Sequence, residues 1–370
     1  MPYPPNYGGV MDVFYKIKWL SEAGVNIHLH CFTYGREPSE ELGRYCSKVY
    51  YYKRKTGLLS NFSWLPYTVR SRQSEELRSR LLGDKWPVLF EVLHTCYLMN
   101  DPAFRNRALI YRHSNIEHAY YRGLAESERN VWRKLYLHIE AFKLKRFERT
   151  IRQASLILAV NRSDRDYFHR TYPAVHSEYL PSFHPGLFLD ISQPAGDYIL
   201  FHGNLSISEN YEAAEWLISK VFGGIRYKVI VAGMNPPGEL KRLIRAHAHI
   251  SLIENPDETE MDALITGARL HVLYTSQGTG LKLKLLNVLH RGRFLLCNPA
   301  MLEGTGLQAD TGLKLASRPE EFMARIQELF NLVYDAQHLE QRKQTLAAFN
   351  NAHNAARLIE LVSSVKPIPA

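Results

Sequence analysis

Cysteine is scarce in this chain, with only Cys31, Cys46, Cys96 and Cys297 in 370 residues. They are scattered, without a CxxC pair and without a histidine cluster at ligand spacing. That usage argues against structural zinc and against a disulfide framework, and it fits a reducing cytoplasm. Cys31 and Cys297 lie inside apolar runs and read as small core residues. No uninterrupted apolar run approaches the roughly 20 residues that span a bilayer, and the start does not read as a signal peptide. Internal repeats and low-complexity tracts are also missing. What remains is an ordinary globular composition, 45% hydrophobic and 22% charged. Its length exceeds one compact core and implies two domains of roughly 150 to 200 residues each.

Negative charge is short in one half only. Residues 1–180 carry 28 Lys and Arg against 18 Asp and Glu, whereas the rest carries 18 against 19. The whole net charge of +9 therefore belongs to the first half. Clusters at Lys53–Lys55, Arg70–Arg80 and Arg133–Arg152 supply much of it. Such an asymmetry points to an anionic partner for that half, either a membrane surface or a phosphorylated substrate. A nucleic acid is not expected, because the aromatic residues follow strand periods and do not interleave with Arg and Lys on one face.

The stretch Gln277–Arg293, QGTGLKLKLLNVLHRGR, reads as a Gly-Thr-Gly turn and an amphipathic helix, between the apolar strands Leu270–Thr275 and Phe294–Cys297. Gly278 and Gly280 allow close approach of the backbone to a ligand, and a helix N-terminus supplies free N–H donors for an anion. Lys282 and Lys284 add positive charge in the first helical turn, against the helix dipole. An anionic ligand at this helix end would explain that placement. A tight strand-to-helix turn with solvated lysines would also explain it.

The second half alternates strands and helices. Strands are predicted at Tyr198–His202, Tyr227–Ala232, Ile250–Ile253, Leu270–Thr275, Phe294–Cys297 and Leu313–Ala316. Helices are predicted at Glu209–Val221, Gly238–His247, Glu258–Thr266, Lys282–His290 and Pro319–Leu332. This is the pattern of βαβ units in a doubly wound parallel sheet. The first half alternates too, with strands at Val25–Phe32, Val49–Tyr52, Val88–Val92, Ala108–Tyr111 and Leu156–Val160, and a long basic helix over Ser127–Gln153. An aperiodic, turn-rich segment, 183–196, reads as a linker. The expected division is 1–182, the linker, 197–345, and a C-terminal piece, 346–370, whose helix over Glu340–Val365 packs back across the hinge. The loop with Gly8 and Gly9 ahead of a helix at Val10–Ala23 ordinarily follows a first strand. None precedes it here, which gives the expectation that the natural reading frame begins upstream of Met1.

Four segments together resemble the GT-B glycosyltransferases, in particular the retaining family-four group. They are PPNYGG (4–9), HSNIEHAYY (113–121), FHGNLSISEN (201–210) and GTGLKLKLLNVLHRG (278–292). The resemblance covers nearly the whole chain. It implies an α/β fold of two Rossmann-like doubly wound parallel-sheet domains facing across a cleft. It also implies sugar transfer, with retention, from a UDP- or GDP-linked nucleotide-sugar to a hydroxyl of a glycan or lipid-linked acceptor. Polysaccharide or glycolipid synthesis at the cytoplasmic face of a membrane is the implied setting. Neither a metal nor a cofactor beyond the donor substrate is implied.

The same resemblance assigns roles. Gly8 and Gly9 match the loop that approaches the donor phosphates, and Gly203 and Asn204 match the turn facing them in the second domain. Asn255, in the loop Glu254–Pro256, falls where relatives receive the nucleobase. Gly278, Thr279, Gly280, Lys282 and Lys284 form the phosphate end, with Lys282 and His113 as the catalytic pair. His94, Asn115 and Glu117 are further candidates for sugar or acceptor contacts. Asn287 stands where relatives carry a ribose-binding glutamate, and Asn204 and Asn210 stand where they often carry a basic pair. Asparagine can still hydrogen-bond but brings no charge. Two other readings stay open: a sugar-nucleotide epimerase of the same fold, with Glu117 as an acid or base, and a catalytically degenerate partner protein.

Overall fold

The computed structural model describes residues 1–5, 8–57, 63–128, 130–276, 280 and 283–365. The chain divides into two compact units. Among the described residues one comprises 1–184, Gly280 and 349–365; the other comprises the rest of 185–348.

In the first unit the elements run α1 (Gly8–Glu22), β1 (His28–Thr33), β2 (Lys48–Lys53), α2 (Tyr67–Arg70), α3 (Glu75–Leu82), β3 (Val88–Glu91), β4 (Leu109–Arg112), α4 (Glu117–Ser127), α5 (Val131–Phe147), β5 (Leu156–Ala159), α6 (Arg162–Thr171) and β6 (Ser177–Tyr179). All strand pairs are parallel. Among the described residues they form two sheets, β1-β2 and β3-β4-β5-β6, where a single sheet was expected. β4 and β5 are buried at every position, as central parallel strands covered on both faces must be. One face carries Phe90, Leu109 and Tyr111 with Leu77 and Leu81 of α3, and Tyr52 of β2 joins the same core. On the other face Tyr15, Trp19 and Leu20 of α1 pack with Ile110, Leu158, Leu358 and Leu361. The last two belong to the C-terminal helix, Asn351–Ser364.

Several local readings change. Gly8 and Gly9 are not loop residues but the first turn of α1. The long helix over Ser127–Gln153 is broken: α4 ends at Ser127, Asn130 caps a new helix by accepting from the Arg133 N–H at 3.0 Å, and a 3-10 turn follows over Glu148–Gln153. The basic run had hidden that cap. The helix over Glu340–Val365 is likewise two helices, interrupted by a 3-10 turn at Ala347–Phe349 and restarted by Asn350, which caps His353. The short β6, with only Ser177 buried, gave no apolar signal.

The second unit runs β7 (Ile199–Asn204), α7 (Ser208–Lys220), β8 (Val229–Met234), α8 (Gly238–Arg245), β9 (Ile250–Glu254), α9 (Glu258–Gly267), β10 (Leu270–Leu273), α10 (Leu283–Arg291), β11 (Phe294–Cys297), α11 (Pro299–Leu302), β12 (Leu313–Leu315), α12 (Pro319–Phe330) and α13 (Ala336–Thr345). Its six parallel strands are ordered β12-β11-β10-β7-β8-β9. Phe201, Leu217, Val231, Phe294 and Phe322 head the core on one face. Strand order reverses between β7 and β10, and ligands of such sheets bind beyond the carboxyl ends at that reversal. Asn204 and the loop after Leu273 both end there.

Candidate functional site

In the second unit the candidate residues gather at the carboxyl ends of β7 and β10. Asn204 closes an Asx turn, its Oδ1 accepting from the Ser206 N–H at 3.1 Å and the Ser206 hydroxyl at 2.7 Å. Its carbonyl accepts from Asn210 Nδ2 at 3.0 Å, which ties α7 to the strand end. Lys284 donates to Asn210 Oδ1 at 2.9 Å, and its ammonium sits 5.9 Å from the centre of the Phe201 ring. An ammonium from α10 is therefore delivered to the side chain at position 210. Burial first, and Lys284 second, depress the pKa of His202 to about 3, so this histidine is neutral there.

The helix behind these contacts is apolar almost all round. In α10 Leu283, Leu285, Leu286, Val288, Leu289 and His290 are buried. Lys284, Asn287 and Arg291, spaced i, i+3 and i+7, form its half-buried polar stripe. Asn287 thus shares a face with Lys284, although its side chain makes no hydrogen bond among the described residues. Thr275 donates to Glu209, and Asn298 holds the Thr275 backbone on both sides, at 3.2 and 2.7 Å. Gly280 has φ +68°, a conformation that glycine adopts without strain. Gly278, Thr279 and Lys282 lie outside the described residues.

Two further loops brace each other. Asn255 and Asn235 both take left-handed backbone conformations, with φ of 51° and 49°. Asn255 Oδ1 accepts from the Asn235 N–H at 2.7 Å, and its own N–H donates to the Gly233 carbonyl at 2.9 Å. Its N–H and its side-chain oxygen are thus both committed within these loops. A side chain at Gly233 would run into the Gly203 carbonyl, so that glycine serves strand packing. By contrast, a Cβ on Gly9 would meet nothing within 4 Å.

In the first unit the candidates lie just beyond β3 and β4. His113 follows β4, its N–H donating to the Leu158 carbonyl at 3.1 Å. The ring is fully buried, lies 4.9 Å from the Phe168 ring, and has no hydrogen-bond partner on either nitrogen among the described residues. Asp164 Oδ2 approaches Nε2 at 3.4 Å, but that oxygen already accepts from Asn161. Burial, helped by the adjacent Arg112, lowers the His113 pKa to about 3. It is thus a neutral imidazole, and the 3.4 Å approach is no ion pair. Glu117 opens α4, where the helix dipole favours a carboxylate, yet burial pushes its pKa up to about 7 against the pull of Arg72. Asn115 is half-buried two residues earlier.

His94 follows a backbone outlier. Val92 has φ 61° and ψ 159°, a region nearly reserved for glycine and strained for a β-branched residue. Burial first, then Arg72, Arg54 and the N-terminus, hold the His94 pKa well below its ordinary value. The strain at Val92 and the roles of Arg72 and Asp164 were not read from sequence. In the sequence Arg72 is one member of the basic cluster Arg70–Arg80. Asp164 left a trace, since Asn161 three residues earlier is an N-cap and accepts from its N–H at 2.7 Å.

Beneath this surface an ionic group fixes α1. Lys16 pairs with Asp12 at 3.2 Å and Glu91 at 2.8 Å, and Arg112 reaches Asp12 at 3.5 Å. Asp12 also accepts from the Phe183 N–H at 2.6 Å. Burial opposes ionisation of Asp12, but Lys16, Arg112 and that N–H hold its pKa down.

Two units of parallel strands covered by helices, the second doubly wound about a reversal, define the GT-B fold. Solved structures with this fold include sucrose-phosphate synthase from Thermosynechococcus elongatus, with TM-score 0.69, 14% identity, and coverage of 96% of this chain and 93% of that one. HepE of Anabaena, solved with UDP and glucose, matches with TM-score 0.67 and 10% identity over 97% and 96% of the two chains. A trehalose-6-phosphate synthase studied for glycosyltransfer with retention matches with TM-score 0.61 and 10% identity over 96% and 97%. Among curated proteins, an uncharacterized 44.6 kDa protein in the cps region of Klebsiella pneumoniae is 27% identical over 338 residues, 85% of each chain. No protein-family model matches the chain.

Proposed function

We propose that this chain is a retaining glycosyltransferase. It takes a UDP- or GDP-linked sugar and passes the sugar to a hydroxyl of a glycan or lipid-linked acceptor, in polysaccharide or glycolipid synthesis. The observation that carries this reading is Lys284, whose ammonium reaches Asn210 at the strand-order reversal of the second unit. HepE, solved with UDP and glucose, supports a nucleotide-sugar donor for this fold, and the cps region of the curated relative supports the setting.

The chemistry asks little of side chains. The bond from the sugar's anomeric carbon to the β-phosphate oxygen breaks, and negative charge grows on the departing diphosphate. Lys284, with Lys282 and the α10 N–H groups, stabilises that charge. The departing phosphate accepts the proton of the attacking hydroxyl, so no carboxylate nucleophile is needed. Asn287 takes the ribose through neutral hydrogen bonds, Asn255 offers its carbonyl to the base, and neutral His113 supports the sugar.

A thermal-shift screen with UDP, GDP, ADP and their sugars identifies the donor. Lys284→Ala should weaken binding of the stabilising nucleotide about tenfold, as loss of one charge-assisted contact implies; unchanged binding takes Lys284 out of the site. His113→Ala should reduce transfer more than nucleotide binding, and equal loss of both makes the residue structural. An epimerase would lose activity with Glu117→Gln and gain nothing from an added acceptor. A degenerate partner protein would bind none of these nucleotides.

A further inference from the structure

Helix α5 breaks the usual rule for a surface helix, because it is apolar on its outer side. Its inner face buries Glu140, Ala141, Leu144 and Phe147. The opposite face presents Trp132, Leu135, Ile139 and Phe142, at spacing i, i+3, i+7 and i+10, with Tyr136 beside them. Trp132 is 80% and Phe142 64% exposed. At a rise of 1.5 Å per residue this stripe runs about 15 Å. Trp64, 78% exposed, extends it sideways, with the Arg146 guanidinium 5.7 Å from its ring centre. Isolated exposed apolar residues are unremarkable, but a continuous stripe with two tryptophans marks an interaction surface.

The charges around the stripe specify its partner. Lys134 and Arg146 lie on the same helix, Arg149 follows in the turn after it, and the helix has no exposed acid to balance them. Glu140 is buried, holding Lys143 at 2.9 Å and the Tyr67 N–H at 2.8 Å. Glu148, which follows the helix, is also buried, bonded to His118 at 3.0 Å and Tyr167 at 2.6 Å. Glu128 in the preceding turn pairs with Arg133 at 3.0 Å. A second copy of this chain is a poor occupant, since apposed stripes would bring their cationic flanks together. Aromatic and aliphatic side chains edged by Lys and Arg instead suit the headgroup region of an anionic bilayer.

We infer that α5, with Trp64, seats the protein in the plane of an anionic lipid surface. This deepens the membrane-side setting of the proposed function, but it stands on the surface alone. The test is co-sedimentation of the full chain with vesicles of phosphatidylcholine alone or mixed with phosphatidylglycerol. Binding is expected only to the mixed vesicles and should weaken in high salt. Trp132→Ser/Phe142→Ser and Lys134→Glu/Arg146→Glu should each lower partitioning at least about tenfold, with melting temperatures unchanged. Absence of binding to mixed vesicles, or binding indifferent to both double variants, overturns the inference. So does a dimer in lipid-free solution that Trp132→Ser/Phe142→Ser dissociates, because a second copy would then cover the stripe. Nucleotide binding by the same variants is measured alongside. A chain that binds vesicles but no nucleotide refutes only the enzymatic reading.

Discussion

Glu117 is a carboxyl group whose protonation changes near neutral pH. Burial raises its folded pKa to about 7, above the ordinary value of an unfolded glutamate. Between those two values the folded chain holds a proton that the unfolded chain has released. Stability therefore falls as pH rises through that window, and the cost is complete above pH 7. Glu117→Gln should remove this slope. The variant should melt at a higher temperature than the parent at pH 8 and at a similar one near pH 4.5; a parallel shift at both would assign the effect to packing. His113 behaves differently, since its depressed pKa keeps it neutral over the whole working range. Burial is the leading cause for both and favours the neutral form of each, so it lowers the histidine and raises the carboxyl. The residue types set the two directions, whereas the burial itself is not encoded in residue spacing.

At the scale of elements, strands were easier to read than helix ends. Central strands such as Leu156–Ala159 and Phe294–Cys297 are continuous apolar runs, and burial on both faces leaves few alternatives. Breaks within helices were missed where a single asparagine decides them. Asn130 and Asn350 each restart a helix by accepting from the N–H three residues on. Asn130→Ala should cost the first unit about 1 kcal/mol, the usual value of an N-cap, in urea denaturation followed by the exposed Trp132. No change would mean that α5 holds its start without the cap. The placement of the candidate residues was partly legible for a related reason. Strand-end positions follow from topology, so Gly203, Asn204 and His113 could be named. The contact between Lys284 and Asn210 spans 74 residues and depends on how α7 and α10 pack.

At the scale of the molecule, the two units differ in how they are drawn from the chain. The second is nearly one continuous segment, whereas the first needs both ends of the sequence. Leu358 and Leu361 pack with Ile110 and Leu158, and Asn351 holds the His184 carbonyl at 2.7 Å. A chain ending at residue 348 should keep the second unit folded while the first exposes apolar surface. Enhanced binding of a hydrophobic dye, with protease cuts confined to residues 1–184, is the expected result. Resistance of the first unit to protease would show that the C-terminal helix is dispensable. The same arrangement sets an order of events during synthesis. The part translated first must wait for the helix Asn351–Ser364 to leave the ribosome, and the part translated second can be finished before it. For that interval a basic, partly assembled first unit is the nascent chain's point of vulnerability, and it is where a chaperone would have to act.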